Sequence, residues 1–279
     1  ISGKTYVTQY VYDGNDNVID IYYPTGLHIT YGYNSNDQVT SLTGFGGTVS
    51  SINYNTAGLP TAYTFSNGIT ESITYTGRNF TDTIKAGVSN SVLNLDYSYD
   101  SRGNTQTITN YLDSAKNQSF GYDSLDRLTS FSGAWGSGSY SYSSSGNRKS
   151  KTIASVTTLH TYSISSNRLD STSGGEATTF SYNSYGSLTG TTCSGGNYTL
   201  TYDSLNNLKT YKLGANVLAS FAYDGDGMRV TKTTWKTIVY HYDKNERVIS
   251  ETDSNGNLIA NNIYLNGKLI AKATEPNAL

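Results

Sequence analysis

A tyrosine returns along this chain about every 20 residues, and the residues around it return with it. The anchors are Tyr12, Tyr33, Tyr54, Tyr75, Tyr99, Tyr122, Tyr142, Tyr162, Tyr182, Tyr202, Tyr223 and Tyr242. The steps between them are 21, 21, 21, 24, 23, 20, 20, 20, 20, 21 and 19. A fixed period of this size is the mark of a repeat architecture. The series runs nearly from end to end, so residues 1–279 read as a single array with no domain boundary.

Three neighbours of the anchor say what each repeat is. Two residues before it stands Tyr10, Tyr31, Ile52, Ile73, Tyr97, Phe120, Tyr140, His160, Phe180, Leu200, Phe221 or Tyr240. An offset of two puts both side chains on one face of a strand. Directly after the anchor comes Asp13, Asn34, Asn55, Asp100, Asp123, Asn183, Asp203, Asp224 or Asp243. Such side chains bond their own backbone two residues on and so start turns. Four residues after the anchor comes Asp16, Asp37, Gly58, Asn79, Gly103, Asp126, Gly146, Gly186, Asn206 or Gly227, with Ser166 and Glu246 breaking the set. Gly, Asn and Asp tolerate positive φ best, which a type I turn closing on a bulge requires. An apolar residue such as Val18, Val39, Leu128, Leu188 or Val248 then restarts the chain.

Strand, tight turn, strand and second turn together fill roughly 20 residues. The expected fold is therefore all-β: a repeat array of about twelve antiparallel β-hairpins in a curved or spiralling single-layer sheet. Leu93, Leu95, Tyr97 and Tyr99 would share one face and Asn94, Asp96 and Ser98 the other. No segment has helix periodicity. About 25 strands spaced roughly 4.8 Å apart make a ribbon roughly 120 Å long, or a ring only about 38 Å across. Its two end strands need cover, from a neighbouring copy, flanking repeats or the chain's own end.

Composition removes several classes. A mean hydropathy of -0.47 would fit disorder, but 26 Tyr, 7 Phe and a net charge of -2 do not. With charges balanced and no basic block, nucleic acid is not an expected partner. No apolar run is long enough for a membrane span. The start, ISGKTYV, has no signal pattern and no Met, and reads as a mature end or an internal cut. Cys193, the one cysteine, rules out an intrachain disulfide and a cysteine metal cluster.

At this point the residues carry a resemblance. YDSLDRL at Tyr122–128 and YDSRGN at Tyr99–104 resemble the YD repeat of RHS proteins. Residues 223–272, with YDGDGMRVTK, YHYDKNERVISETDSNGNLI and IYLNGKLIAK, are similar to the opening of the RHS-associated core. The family takes in bacterial polymorphic toxins, the shell component of Tc toxins, and teneurins. The resemblance implies a β-ribbon that spirals into a hollow shell, enclosing a C-terminal effector in the toxin members. The chain ends nine residues after Ile270. The self-cleaving aspartate motif and the effector would lie beyond that point, so no proteolytic residue is carried over.

A search for chemistry returns structure. Asp13, Asp16, Asp37, Asp100, Asp123, Asp126, Asp203, Asp224, Asp243 and Asp253 all occupy turn slots. No carboxylate pair is singled out for glycosidase chemistry. Residues 13–17 and 224–226 brush an acidic calcium loop but lack its downstream Glu. His28, His160 and His241 are scattered, and His160 fills an aromatic slot. No G-x-S-x-G elbow exists, and Cys193 lies in a loop-like stretch. The glycines at 44–47 and 136–138 read as inter-hairpin turns. The tyrosine rows fit a packing ladder or a stacking platform for sugars or bases.

No catalytic, metal or cofactor residue is therefore expected. The leading reading is a non-catalytic shell segment of a larger, secreted or cell-surface protein. It would enclose a partner polypeptide or join flanking repeats of the parent chain, with its aromatic face inward. Edge-to-edge self-association is a further possibility. The alternative is a carbohydrate-binding or adhesion module that contacts glycans through its Tyr rows. If Gly186 holds a positive-φ turn, Gly186→Val should cost about 1 kcal/mol or more. Chemical denaturation of the variant checks this, and a neutral result contradicts the turn.

Overall fold

The computed structural model describes residues 3–44 and 46–274. It holds 26 strands, two more than twelve hairpins require. In chain order they are β1 (Gln9–Tyr12), β2 (Val18–Tyr22), β3 (His28–Tyr33), β4 (Val39–Thr43), β5 (Val49–Tyr54), β6 (Pro60–Phe65), β7 (Thr70–Tyr75), β8 (Thr81–Ala86) and β9 (Leu93–Tyr99). There follow β10 (Thr105–Asn110), β11 (Gln118–Tyr122), β12 (Leu128–Gly133), β13 (Gly136–Tyr142), β14 (Arg148–Ile153), β15 (Val156–Tyr162), β16 (Leu169–Gly174), β17 (Thr178–Tyr182) and β18 (Leu188–Cys193). The last eight are β19 (Gly196–Tyr202), β20 (Leu208–Leu213), β21 (Asn216–Tyr223), β22 (Arg229–Thr233), β23 (Thr237–Tyr242), β24 (Val248–Asp253), β25 (Leu258–Leu265) and β26 (Lys268–Ala273). Single 3₁₀ turns at Val88–Asn90 and Ser114–Lys116 are the only helical elements among the described residues. They fill the two long steps of the repeat, Tyr75 to Tyr99 and Tyr99 to Tyr122.

Each anchor closes a strand, and the strand register slips by one residue there. The slip falls between Val11 and Tyr12, between Ser141 and Tyr142, and between Thr201 and Tyr202. Tyr142 faces Arg148 and Tyr202 faces Leu208. The turn between them is a type I turn closed by a bulge. In the first repeat Asp13 N donates to Asn17 O at 3.0 Å, and Asp16 N donates to Asp13 O at 3.3 Å. The carboxylate Oδ1 of Asp13 accepts from Asn15 N and Asn17 N, each at 2.9 Å. Asp16 turns the corner at φ 62°.

The odd slots are instructive. Glu246 adopts φ 61° despite its side chain. In the repeat of Tyr162 the turn is one residue longer, so Asn167 (φ 54°) takes the slot in place of Ser166. Residues 136–138 are not a turn. They lie inside β13, after a two-residue turn at Ala134 and Trp135. Glycine is needed there because a Cβ on Gly138 would sit 2.6 Å from Phe131 Cζ. Cys193 ends β18 beside a two-residue turn, rather than lying in a loop.

The chain forms two compact units: residues 1–72 with 218–279, and residues 73–217. In the first, the early hairpins share a core with the last ones. Ile29, Leu42 and Val49 meet Ile249, Ile263 and Leu265, all almost wholly buried. Cross-strand partners Ile21 and Ile29, and Leu42 and Val49, place these side chains on one face. Tyr10, Tyr31, Tyr54 and Tyr63 pack against that cluster.

The second unit has no such core. Its only buried residues are Ala86 and Thr158. It is a single layer with two chemically distinct faces. On one, Phe120 faces Phe131, whose ring lies 5.3 Å from that of Tyr140. Tyr198 and Tyr211 stack there at 5.5 Å. On the other, hydroxyls pair across strands: Ser98 with Thr107 and Thr201 with Thr210 at 2.6 Å, Ser119 with Ser132 at 2.8 Å.

One bond ties most of the hairpins to the one before. The anchor hydroxyl donates to the main-chain carbonyl of the first residue in the previous post-turn strand. Tyr33 reaches Val18 O (2.9 Å), Tyr54 Val39 O (2.7 Å), Tyr122 Thr105 O (2.9 Å), Tyr142 Leu128 O (2.8 Å) and Tyr202 Leu188 O (2.6 Å). Tyr99, Tyr162, Tyr182, Tyr242 and Tyr264 do the same. Phenylalanine would fill the same space and leave the carbonyl without this donor. Tyr142→Phe should therefore cost about 1 kcal/mol in chemical denaturation, whereas Ser144→Ala, at an exposed turn tip, should cost little.

Candidate functional surface

The anchors and their turns form one edge of the sheet in each unit. Tyr12, Tyr33, Tyr54, Tyr75, Tyr99, Tyr122, Tyr142, Tyr162, Tyr182, Tyr202, Tyr223 and Tyr242 each end a strand. Asp13, Asp100, Asp123, Asp203, Asp224 and Asp243 each accept from two backbone N–H groups of their own turn. Gly103, Gly146, Gly186 and Gly227 each hold positive φ, between 81° and 99°. These residues thus act on the backbone of their own repeats.

Neighbouring turns are also bonded to each other. Asn17 Nδ2 reaches Asp37 Oδ1 at 2.7 Å, and Asn104 Nδ2 reaches Asp126 Oδ1 at 2.8 Å. Arg127 Nη1 donates to Ser143 O at 3.1 Å, with its guanidinium 4.6 Å from the Tyr142 ring. Arg168 bonds Asn183 O and lies over Tyr182 in the same manner.

These bonds tune the carboxylates. A hydrogen bond from the Asn17 side chain holds Asp13 below the usual carboxylate range, as Asn104 does for Asp100 and Arg127 for Asp123. Backbone donation from Asn207 lowers Asp203. Each stays charged and unfit to hold a proton for general acid work. Among the described residues, no three His, Cys, Asp or Glu side chains gather where a metal ion would sit. His28 stacks on Tyr22 and bonds Asp20, and His160 contacts Arg148. Among the described residues, no helix is long and apolar enough to cross a membrane.

The first unit adds a clasp that the repeat pattern does not reveal. Lys244 N donates to Tyr10 OH at 3.1 Å, and Lys244 Nζ lies 4.7 Å from the Tyr12 ring centre. Tyr23 OH donates to Asn262 O at 3.0 Å and Tyr31 OH to Tyr264 O at 2.8 Å. Burial drives both phenols up, Tyr31 to about 12. Asp243 is buried with Arg247 at 2.6 Å. Asn261 Oδ1 accepts from Ser250 and Thr25, each at 2.7 Å. His241 lies under the Tyr6 ring (4.1 Å) and bonds Thr252 Oγ1 at 2.9 Å. Tyr264 was a further anchor, signalled by its position 22 residues after Tyr242.

Residues 12–49 match the family model of the RHS repeat. That segment runs from the first anchor through the second turn, and its turn, bulge and tyrosine bond recur down the chain. The chain thus contains an RHS repeat. The chain is similar in fold to the crystal structure of TcdB2-TccC3-Cdc42, with a TM-score of 0.56 at 16% identity. It resembles the Tc holotoxin pore of Photorhabdus luminescens (0.55, 16%) and TcdB2-TccC3 (0.55, 15%). The alignments cover 98%, 96% and 98% of this chain, but only 18%, 18% and 19% of those chains. The chain thus spans less than a fifth of the length of the chains it resembles. No curated protein matches it.

Burial holds His241 of the array neutral, lowering it from 6.5 to about 4. A group lowered on folding contributes stability above its unfolded value and loses it as pH falls. The thermal midpoint of the first unit should therefore drop between about pH 6.5 and pH 4. His241→Asn should flatten that part of the pH profile.

Proposed function

We propose that the chain is a non-catalytic wall segment of a larger RHS-type shell, which encloses or shields a polypeptide such as a C-terminal toxin. The carrying observation is the second unit. It is a long single layer whose strands are locked to each other by tyrosine, turn and hydroxyl bonds rather than by a core. Such a sheet can line a space without filling it. The likeness to TcdB2-TccC3 supports the same reading, since those chains are toxin components many times the length of this array. Secretion or surface display fits a wall of this kind. Residues 223–272 would then open the RHS-associated core.

Most of the anchor tyrosines have their hydroxyls engaged in the ladder, which favours a structural role over a row of sugar platforms. Limited proteolysis of the parent polypeptide tests the proposal. The segment enclosed by the array should survive protease levels that destroy the same segment made alone. Equal cutting in both settings would overturn it.

A further inference from the structure

Three asparagines in the chain precede a glycine: Asn67 before Gly68, Asn255 before Gly256, and Asn266 before Gly267. All three are exposed. The backbone nitrogen after an asparagine can attack the side-chain carbonyl carbon, and a glycine there puts no Cβ in the way. A nitrogen whose N–H is held in a hydrogen bond is not free to do so. Gly68 N donates to Phe65 O at 2.9 Å and Gly256 N to Asp253 O at 3.0 Å, each closing its turn. Asn67 is held further, since its Oδ1 accepts from Ile69 N at 3.0 Å. A Cβ on Gly256 would meet Lys4 Nζ at 2.6 Å, so that site is also covered.

Asn266 and Gly267 differ. They form the two-residue turn between β25 and β26, with Leu265 facing Lys268 across it. Both hold positive φ, 49° and 77°, as in a type I′ turn. Among the described residues, Gly267 N makes no turn-closing bond. Space beside it is open, for a Cβ on Gly267 would meet nothing within 4 Å. The Asn266 amide also carries a link between distant hairpins. Its Nδ2 donates to Tyr54 OH at 3.1 Å, and Tyr54 OH spends its one proton on Val39 O at 2.7 Å. The link therefore needs a donor on residue 266, and a carboxylate has none.

We propose that Asn266 is a site of spontaneous conversion to aspartate and isoaspartate, and that conversion releases the β25–β26 turn from Tyr54. The Gly267 nitrogen bonds to Asn266 Cγ, the Cγ–Nδ2 bond breaks, and the Gly267 proton leaves with that nitrogen as ammonia. Water then opens the cyclic imide. Attack at Cγ gives aspartate, and attack at the main-chain carbonyl gives isoaspartate. Water is the only co-reactant. Aspartate turns lone pairs alone toward Tyr54. Isoaspartate also adds a methylene to the main chain of a turn that has only two residues. This modification stands apart from the shell reading and does not depend on it.

Peptide mapping by mass spectrometry tests it, on the full chain held in mildly alkaline buffer. The same chain unfolded in urea gives the intrinsic rate of each site. In the folded chain Asn266 should convert at least about fivefold faster than Asn67 or Asn255, the factor that one net hydrogen bond represents. A rate at Asn266 no greater than at the other two would overturn the proposal, as would an intact Asn266 over a time in which the unfolded chain converts. Asn266→Gly, which suits the positive φ, should abolish conversion at this turn. Asn266→Asp should lower the thermal midpoint of the first unit at neutral pH. An unchanged midpoint would overturn the loss of the Tyr54 link.

Discussion

In most repeats the phenolic hydroxyl of the anchor reaches the first carbonyl of the strand that faces the preceding anchor. Tyr142 bonds Leu128, and Leu128 faces Tyr122 across a bulge. Tyr122 in turn bonds Thr105. Each repeat is therefore positioned by the one before it, through main-chain atoms whose place the bulge has already set. The chain needs no common core to hold register, because register passes along the edge. This accounts for tyrosine rather than phenylalanine at the anchors, and for a spacing that varies little on the turn side.

The two units use that edge differently. In the first, aliphatic faces meet, and burial of Ile29, Leu42, Ile249 and Ile263 adds the hydrophobic term that ordinary domains rely on. In the second, rings and guanidinium groups such as Arg127 over Tyr142 stand in for a core, each contact worth about 0.5–1 kcal/mol at exposed sites. Many small, adjacent terms then replace a few large ones, as expected for a repeat whose stability is summed between neighbours.

The repeating elements were legible because each follows from spacing. A Tyr, an acid after it and a glycine four on define a turn that one repeat alone can form. The class of fold and the family resemblance both came from that local grammar. What escaped is non-local or off-period. Nothing near Lys244 in sequence points to Tyr10 and Tyr12, more than 230 residues away. The buried set around Asn261 likewise depends on which hairpins meet. Gly138 looked like a turn residue because glycine is common in turns. Its real constraints are the Thr152 carbonyl and the Phe131 ring on the strands either side, pairings that sequence does not state.

The 3₁₀ turns at Val88–Asn90 and Ser114–Lys116 fall on the sheet edge opposite the anchor turns. They lengthen two repeats, and Tyr99 and Tyr122 still make their carbonyl bonds. The two margins of the ribbon thus differ in freedom. One is governed by turns of five residues, six after Tyr162, bonded to their neighbours. The other can gain residues without the message of register being lost. A chain of this design could acquire new loops, or accept grafted ones, along a single side while its length and pitch stay as they were.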